Sequence, residues 1–358
     1  MEVESLKNWL NPISEPIIIA GPCGAESLEQ LRQTASQLAA LNRISLFRSG
    51  VWKPRTRPNS FEGKGEEALK WLQDIKSEFG FKITVEVANA QHTELALKYG
   101  IDVLWIGART TVNPFSVQEI ADVLKGTQTP VLIKNPIHAD LQLWIGAIER
   151  INNAGIKKIA AIHRGFHVYG KTKYRNKPMW QLPIELRTQF PELPIICDPS
   201  HISGNRDLIP SVAQKALDLG MNGLMIESHF NPLKALSDAE QQLSPLQLGE
   251  VLEGLVIRKQ NCEDEVATDK LVSLRKIIDE IDDELLNILK KRTQIIEQIG
   301  IYKKEHNITI FQLERWQEIL RTRAQWADKL GVSRQHIEKI CQLLHEESIR
   351  IQNGLMNK

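Results

Sequence analysis

Ile17-Ile-Ile-Ala-Gly-Pro-Cys-Gly-Ala-Glu26 is the stretch from which the fold is read. Four consecutive apolar residues, Ile17 to Ala20, end on a Gly-Pro turn that presents Cys23. A short apolar run without polar alternation is the pattern of a parallel strand covered on both faces. Seven further runs follow: Ile44–Arg48, Lys82–Val87, Val103–Gly107, Pro130–Lys134, Lys158–Arg164, Pro194–Asp198 and Gly223–Glu227. Helix-period segments separate them: Ser27–Leu41, Gly65–Phe79, Gln91–Tyr99, Ser116–Lys125, Leu141–Ala154, Pro183–Gln189 and Asp207–Leu219. A last helix is expected over Ser244–Ile257. Eight strands alternating with eight helices predict a (β/α)₈ barrel over residues 1–260. A doubly wound open sheet is the alternative, but no Gly-x-Gly-x-x-Gly follows the first strand.

A barrel of this kind carries its active groups at the C-terminal ends of its strands. Cys23 follows the first strand, and Arg48, Lys53 and Arg55 the second. Glu86, Arg109, Lys134 and Arg164 lie at the ends of the third to sixth, Asp198 and His201 after the seventh, and Glu227 at the eighth. In a closed barrel the eighth strand neighbours both the seventh and the first, so Cys23, His201 and Glu227 converge. Asp238 follows Glu227 by eleven residues in the next loop. Singly, Cys23 reads as an inert thiol, His201 as a loop histidine and Asp238 as a helix cap. Together they make a donor set for Mn²⁺, Fe²⁺, Co²⁺ or Zn²⁺ at an open position, too rich in oxygen for a closed structural zinc. Across the barrel, Arg48, Lys53, Arg55, Arg109, Lys134 and Arg164 form a cationic arc. Glu86 and Asp198 are too few to balance it, so the arc suits phosphorylated and carboxylated small molecules.

Bulk properties narrow the class. Length, 358 residues, favours about two domains. The formal charge of +1 gives no general attraction to nucleic acid or anionic membrane, so any anion site is local. Four scattered cysteines, Cys23, Cys197, Cys262 and Cys341, have neither Cys-x-x-Cys nor framework spacing, which points to a reducing compartment. The leading Met1-Glu-Val-Glu-Ser has no basic or apolar signal region, and a cytoplasmic location is expected.

After a polar linker, 261–268, the strand pattern stops. Residues 269–358 read as an all-helical domain. Asp269–Glu305 is one long amphipathic helix, with Leu271, Leu274, Ile277, Ile278, Ile281, Leu285, Ile288 and Leu289 at helical spacing. It is too long for ninety residues to bury alone, and a helical homodimer or higher homo-oligomer is expected. Helices over about Leu313–Lys329 and Arg334–Asn353 follow, the last capped by Ser333. Arg292 and Lys303 fall within about 20° on one helical face, and Arg275 lies about 100° away. Ser348 and Gln352 are spaced i,i+4 on the last helix.

The barrel half resembles 3-deoxy-D-arabino-heptulosonate 7-phosphate (DAHP) synthases of the short class-I type, themselves similar to 3-deoxy-D-manno-octulosonate 8-phosphate (KDO8P) synthases. The residues that carry the resemblance are Gly21-Pro-Cys23, Lys53-Pro-Arg-Thr56, Ser60-Phe-Glu-Gly63, Gly107-Ala-Arg-Thr-Thr111, Asp198-Pro-Ser-His201 and Ala235-Leu-Ser-Asp238. The resemblance implies condensation of phosphoenolpyruvate with erythrose 4-phosphate at a divalent metal held by Cys23, His201, Glu227 and Asp238. It implies phosphoenolpyruvate contacts from Arg48, Lys53, Arg109, Lys134 and Arg164, and sugar-phosphate contacts from Arg55 and Thr56. The Lys-Pro-Arg-Thr stretch favours the four-carbon sugar.

The tail resembles the all-helical chorismate mutases, with Arg275, Arg292, Lys303, Arg315, Ser348 and Gln352 matching that family's substrate-binding residues in order. The resemblance implies rearrangement of chorismate to prephenate in an intertwined dimer, with Arg275 reaching into the partner's site. Gln312 and Trp316 depart from it, standing where the family usually has acids; the acid replaced by Trp316 contacts the chorismate hydroxyl. Two alternatives remain: a non-catalytic tail that senses chorismate or prephenate, and a barrel that uses arabinose 5-phosphate.

Overall fold

The computed structural model describes residues 1–10, 15–54, 60–170, 172–259 and 265–357. The chain divides into two compact units, Met1–Gln260 and Asn261–Lys358. In the first, eight parallel strands close into a barrel in sequence order. They are β1 (Ile17–Gly21), β2 (Leu46–Ser49), β3 (Ile83–Val87), β4 (Val103–Ile106), β5 (Val131–Lys134), β6 (Ile159–His163), β7 (Ile195–Cys197) and β8 (Gly223–Glu227). Closure runs from Ile17 opposite Gly223 to Gly21 opposite Glu227. The helices are α1 (Leu28–Ala39), α2 (Glu66–Phe79), α3 (Ala90–Lys98), α4 (Ala108–Thr111), α5 (Pro114–Leu124), α6 (Leu141–Asn153), α7 (Gln181–Gln189), α8 (Pro199–Ser203), α9 (Ile209–Asp218) and α10 (Pro245–Gly254).

Alternate residues of a barrel strand face inward. Leu46, Leu132, Ile162, Ile196 and Met225 pack in one buried cluster inside the barrel, with Val103 and Trp105. Two residues beyond the first five, on the same inward positions, stand Arg48, Lys134, Arg164, Asp198 and Glu227. Apolar filling and charged floor are thus successive layers of one register. The intervening residues, such as Ile18, Phe47, Leu104 and Ile133, pack outward with Leu31, Leu69, Ile120 and Ile148 of the helices. Leu6, Trp9 and Leu10 join the inner cluster from the N-terminal end. They are held there by Glu4 N donating to Lys157 O (2.9 Å) and Lys82 Nζ donating to Trp9 O (3.2 Å).

Local chemistry starts the helices where the sequence offers a cap. Ser27, Asn89, Asn113 and Asp140 each accept a backbone N–H of the first turn, and Ser244 forms a capping box with Gln247. The short helices α4 and α8 were not legible, since four or five residues carry no periodicity. Both open a loop over the barrel mouth: α4 begins after Gly107 and α8 on Asp198-Pro199.

His163, at the end of β6, is fully buried with Trp180, Phe166 and Trp144 around it, and burial pushes its imidazole down to about 3. It is neutral in the folded barrel, whereas the unfolded chain protonates it below about pH 6.5. The unfolded state then binds the extra proton, so stability falls by about 1.4 kcal/mol per pH unit between pH ~6.5 and ~3. His163→Phe is expected to flatten this acid-side slope. Urea titrations with the same pH slope for both proteins would refute the assignment.

The second unit holds α11 (Glu265–Glu305), α12 (Leu313–Lys329) and α13 (Arg334–Met356), with α11 and α12 both packed on α13. α11 begins at Glu265, within the linker expected over 261–268, of which 261–264 lie outside the described residues. Val-Ala-Thr carries no helix breaker. In the first half of α11, Leu274, Ile277, Ile278, Ile281 and Leu285 are all exposed. No helix among the described residues is long and apolar enough to cross a membrane.

Candidate active site

Cys23, Glu227 and Asp238 bring one donor atom each to a common point, all within 4.8 Å of one another. β1 delivers Cys23 and β8 delivers Glu227; Asp238 arrives on the loop after β8, in a left-handed conformation at φ 50°. His201, on α8, sets Nε2 3.8 Å from Glu227 Oε1 and Nδ1 2.8 Å from Asp198 Oδ2. Three of the four residues named from the sequence, Cys23, Glu227 and Asp238, therefore meet at one edge of the barrel mouth, and His201 stands beside Glu227 outside that group.

Their surroundings fit a divalent cation. Glu227 Oε1 is buried without a hydrogen-bond donor; Arg48 Nη2 lies 3.2 Å away but off the hydrogen-bonding direction. Burial, aided by Glu227, pushes the Cys23 thiol up to about 12, so only a cation or the nearby ammonium favours its thiolate. Lys53 Nζ stands 3.0 Å from that sulfur and donates to Cys23 O at 2.9 Å. Burial alone would raise the Asp238 carboxyl, but Arg175, His201 and Lys53 hold it well below the usual range. For His201 burial dominates and lowers the imidazole, favouring the neutral ring that a metal binds.

Beside these donors lies a cavity of about 210 Å³. Lys53, Arg109, Lys134, Arg164 and Arg175 line it, with Glu86 as an acid on the wall. Lys134 pairs with buried Asp198 at 2.8 Å, and Asp198 also caps α8 by accepting from His201 N at 3.0 Å. Trp105 donates through Nε1 to Glu86 Oε2 at 3.0 Å, and the Arg48 guanidinium lies 4.9 Å from its ring centroid. Gly107 leaves room for this acid, since a Cβ there would fall 2.0 Å from Glu86 Oε1. Burial lowers Arg164 to about 10, still charged at neutral pH.

Not every expected cation is on the lining. Arg48 is buried below the cavity, facing Glu227, where it supports the floor. Arg55 and Thr56 lie outside the described residues. Three contributors went unforeseen. Arg175 donates to Asp238 Oδ1 (2.9 Å) and Gln241 Oε1 (2.6 Å). Gln241 donates to Glu227 Oε2 at 2.6 Å, and Gln242 Oε1 accepts from Cys23 N at 3.0 Å. The two glutamines were within reach of sequence reasoning through their position just after Asp238. Arg175 sits in an irregular loop between β6 and α7, where no spacing marks it.

In the helical unit, Arg292 Nη2 donates to Ser348 Oγ at 2.9 Å, and Gln352 Nε2 donates to Ser348 O at 3.2 Å. Ser348 and Gln352 are buried. Lys303 Nζ donates to Ile310 O at 2.6 Å. Arg315 pairs with its own helix neighbour Glu318 at 2.6 Å, and Arg275 is exposed on the first half of α11. Trp316 stacks on His345, with ring centroids 4.1 Å apart and planes at 16°. Arg292, Lys303, Ser348 and Gln352 thus gather where α11 meets α13, and Arg275 stays apart from them.

Residues 13–261 match the DAHP synthetase I family profile, and residues 274–353 match that of chorismate mutase type II. The chain is 34% identical over 226 residues to the phospho-2-dehydro-3-deoxyheptonate aldolase of Thermotoga maritima, covering 63% of this chain and 64% of that relative. A 2-dehydro-3-deoxyphosphooctonate aldolase of Helicobacter pylori is 29% identical over 264 residues, covering 65% of this chain and 92% of the relative. Among solved structures, a crystal structure of the Thermotoga maritima DAHP synthase superposes with a TM-score of 0.60 at 32% identity, over 66% of this chain and 67% of that one.

Proposed function

The chain belongs to the DAHP synthetase I family, and on that premise we propose that it is bifunctional, a DAHP synthase carrying a chorismate mutase. The barrel condenses phosphoenolpyruvate with erythrose 4-phosphate to DAHP and phosphate, and the tail converts chorismate to prephenate. The observation that supports the first assignment is the cationic cavity of Lys53, Arg109, Lys134 and Arg164 lying beside the Cys23, Glu227 and Asp238 donor cluster, with His201 on the cavity wall.

Cys23, His201, Glu227 and Asp238 would hold a divalent ion such as Mn²⁺, Fe²⁺, Co²⁺ or Zn²⁺. When bound, such an ion supplies Lewis-acid polarisation of the aldehyde oxygen. The basic residues bind the phosphoenolpyruvate carboxylate and phosphate and fix its C3 against the aldehyde carbon. The new C–C bond leaves cationic character at C2; water adds there, and the C2–O bond to phosphate breaks. Asp198, buried against Lys134, and Glu86 on the wall keep the cavity from an uncompensated positive charge. Reduced thiols at Cys23 and Cys197 and charged phosphorylated substrates suit the cytoplasm.

Arg164→Ala is expected to raise KM for phosphoenolpyruvate by about 30-fold or more, the lower end of a lost buried charge contact at ~2 kcal/mol, with little change for the sugar phosphate. Steady-state kinetics varying each substrate in turn checks this. An equal loss for both substrates would refute the assignment of this arc. Parallel assays with erythrose 4-phosphate and arabinose 5-phosphate test the four-carbon preference.

For the tail, the rearrangement moves no proton and needs a cage for two carboxylates and the charge that develops on the ether oxygen. Arg292, Lys303 and Gln352 supply it. Two chains pair through the apolar stripe of α11, and Arg275 then completes the site across the dimer. A mutase assay of the full chain tests the reading against a tail that only senses the ligand.

A further inference from the structure

We infer that His345 contacts the substrate of the tail, accepting through Nε2 a hydrogen bond from the ring hydroxyl of chorismate. It would do so in place of the carboxylate missing at Trp316. The inference rests on the mutase reading of this unit.

His345, Ser348 and Gln352 are spaced i, i+3, i+7 and so share one stripe of α13. Ser348 on that stripe already receives the Arg292 guanidinium from α11. His345 is half-buried, yet its Nε2 is fully enclosed and has no hydrogen-bond partner. Buried ring nitrogens are normally paired, and an orphan beside a cationic site marks a place for a ligand atom. Trp316 of α12 covers one face of the His345 ring at 4.1 Å, and Phe311 meets it edge-on at 5.9 Å.

Charge favours the neutral ring, and with the proton on Nδ1 the lone pair sits on Nε2. Burial, Arg292 and Lys303 all lower the imidazole, and Glu346 of its own helix opposes them. The neutral ring has one acceptor nitrogen. The substrate's carboxylates call for cations, which α11 supplies; its hydroxyl, a donor, calls for an acceptor. Trp316 cannot accept, but it orients a ring that does. Gln352 Oε1 is the other enclosed atom here without a partner, one to two turns farther along α13, so the test must be specific to the hydroxyl.

The experiment uses the full chain and compares the parent with His345→Phe and His345→Gln. Phenylalanine keeps the stack and removes the acceptor; glutamine restores a polar atom near the position of Nε2. On chorismate, His345→Phe is expected to lose about 30-fold in kcat/KM and His345→Gln to recover to within about fivefold. On an analogue bearing hydrogen in place of the ring hydroxyl, parent and His345→Phe are expected to agree within about threefold. Equal losses on both compounds, or no loss on chorismate, would overturn the inference. A parent inactive on chorismate would overturn the mutase reading itself, a different outcome seen before any variant is made. Should His345→Phe not fold, histidine-selective ¹⁵N spectra of the parent decide: the Nε2 resonance must move on saturation with prephenate, and an unmoved resonance overturns the inference.

Discussion

Cys23→Ser is expected to cost the condensation at least about 1,000-fold while leaving prephenate formation within about twofold. Losing a group that merely orients a metal ligand costs 10- to 100-fold, and losing a ligand costs more. Serine is nearly isosteric, so the barrel should fold, but its hydroxyl gives no anion to a cation at this site. The native thiol is pushed up to about 12 by burial and Glu227, so it becomes a thiolate mainly when a cation displaces its proton. Metal content by mass spectrometry should fall with activity. Full chelator-sensitive condensation by Cys23→Ser would show that the ion, if any, is held elsewhere.

Arg292→Ala and Arg275→Ala are each expected to abolish prephenate formation, by at least about 100-fold, for loss of a buried charge contact of ~3 kcal/mol. The two lesions differ in where they act. Arg292 reaches Ser348 within its own chain at 2.9 Å, whereas Arg275 is exposed among the uncovered apolar residues of α11. Refolding the two inactive chains together should therefore revive one site in each mixed dimer. With random pairing, about one quarter of parental activity returns. No recovery, with mixed dimers verified by mass spectrometry, would mean that each site is built within one chain.

The barrel was legible because its strands are covered on both faces, so each reads as a bare apolar run such as Ile17–Ala20. Its ends were less so: Lys158 and Arg164 bound the apolar run of β6, but the ladder keeps only Ile159–His163. The donor set was legible because closure makes the first and last strands neighbours, which places Cys23 beside Glu227 without any local motif. What sequence could not show was how the site balances its own charge. Arg48 reads as one more cation of the arc, yet it turns under the floor to Glu227; Lys53 reads as a phosphate ligand, yet it also rests on Cys23. Side-chain direction at a strand end depends on the neighbouring strand, information that is not local. Arg175 was missed for the same reason, since its partners Asp238 and Gln241 lie more than sixty residues away.

The shared register of filling and floor constrains how such a barrel can change. Leu46 and Arg48, Leu132 and Lys134, and Met225 and Glu227 occupy alternate positions of the same strands. Inserting one residue within a strand would turn its polar end group toward the helix layer and thrust an outward-facing neighbour such as Phe47 into the lumen. A single-codon insertion there would damage packing and chemistry together, whereas one in the loop between β6 and α7 would disturb neither register. Lineages of this fold are thus free to rewrite what the mouth recognises by lengthening and shortening loops, while the spacing between core and catalytic floor is inherited as one indivisible character.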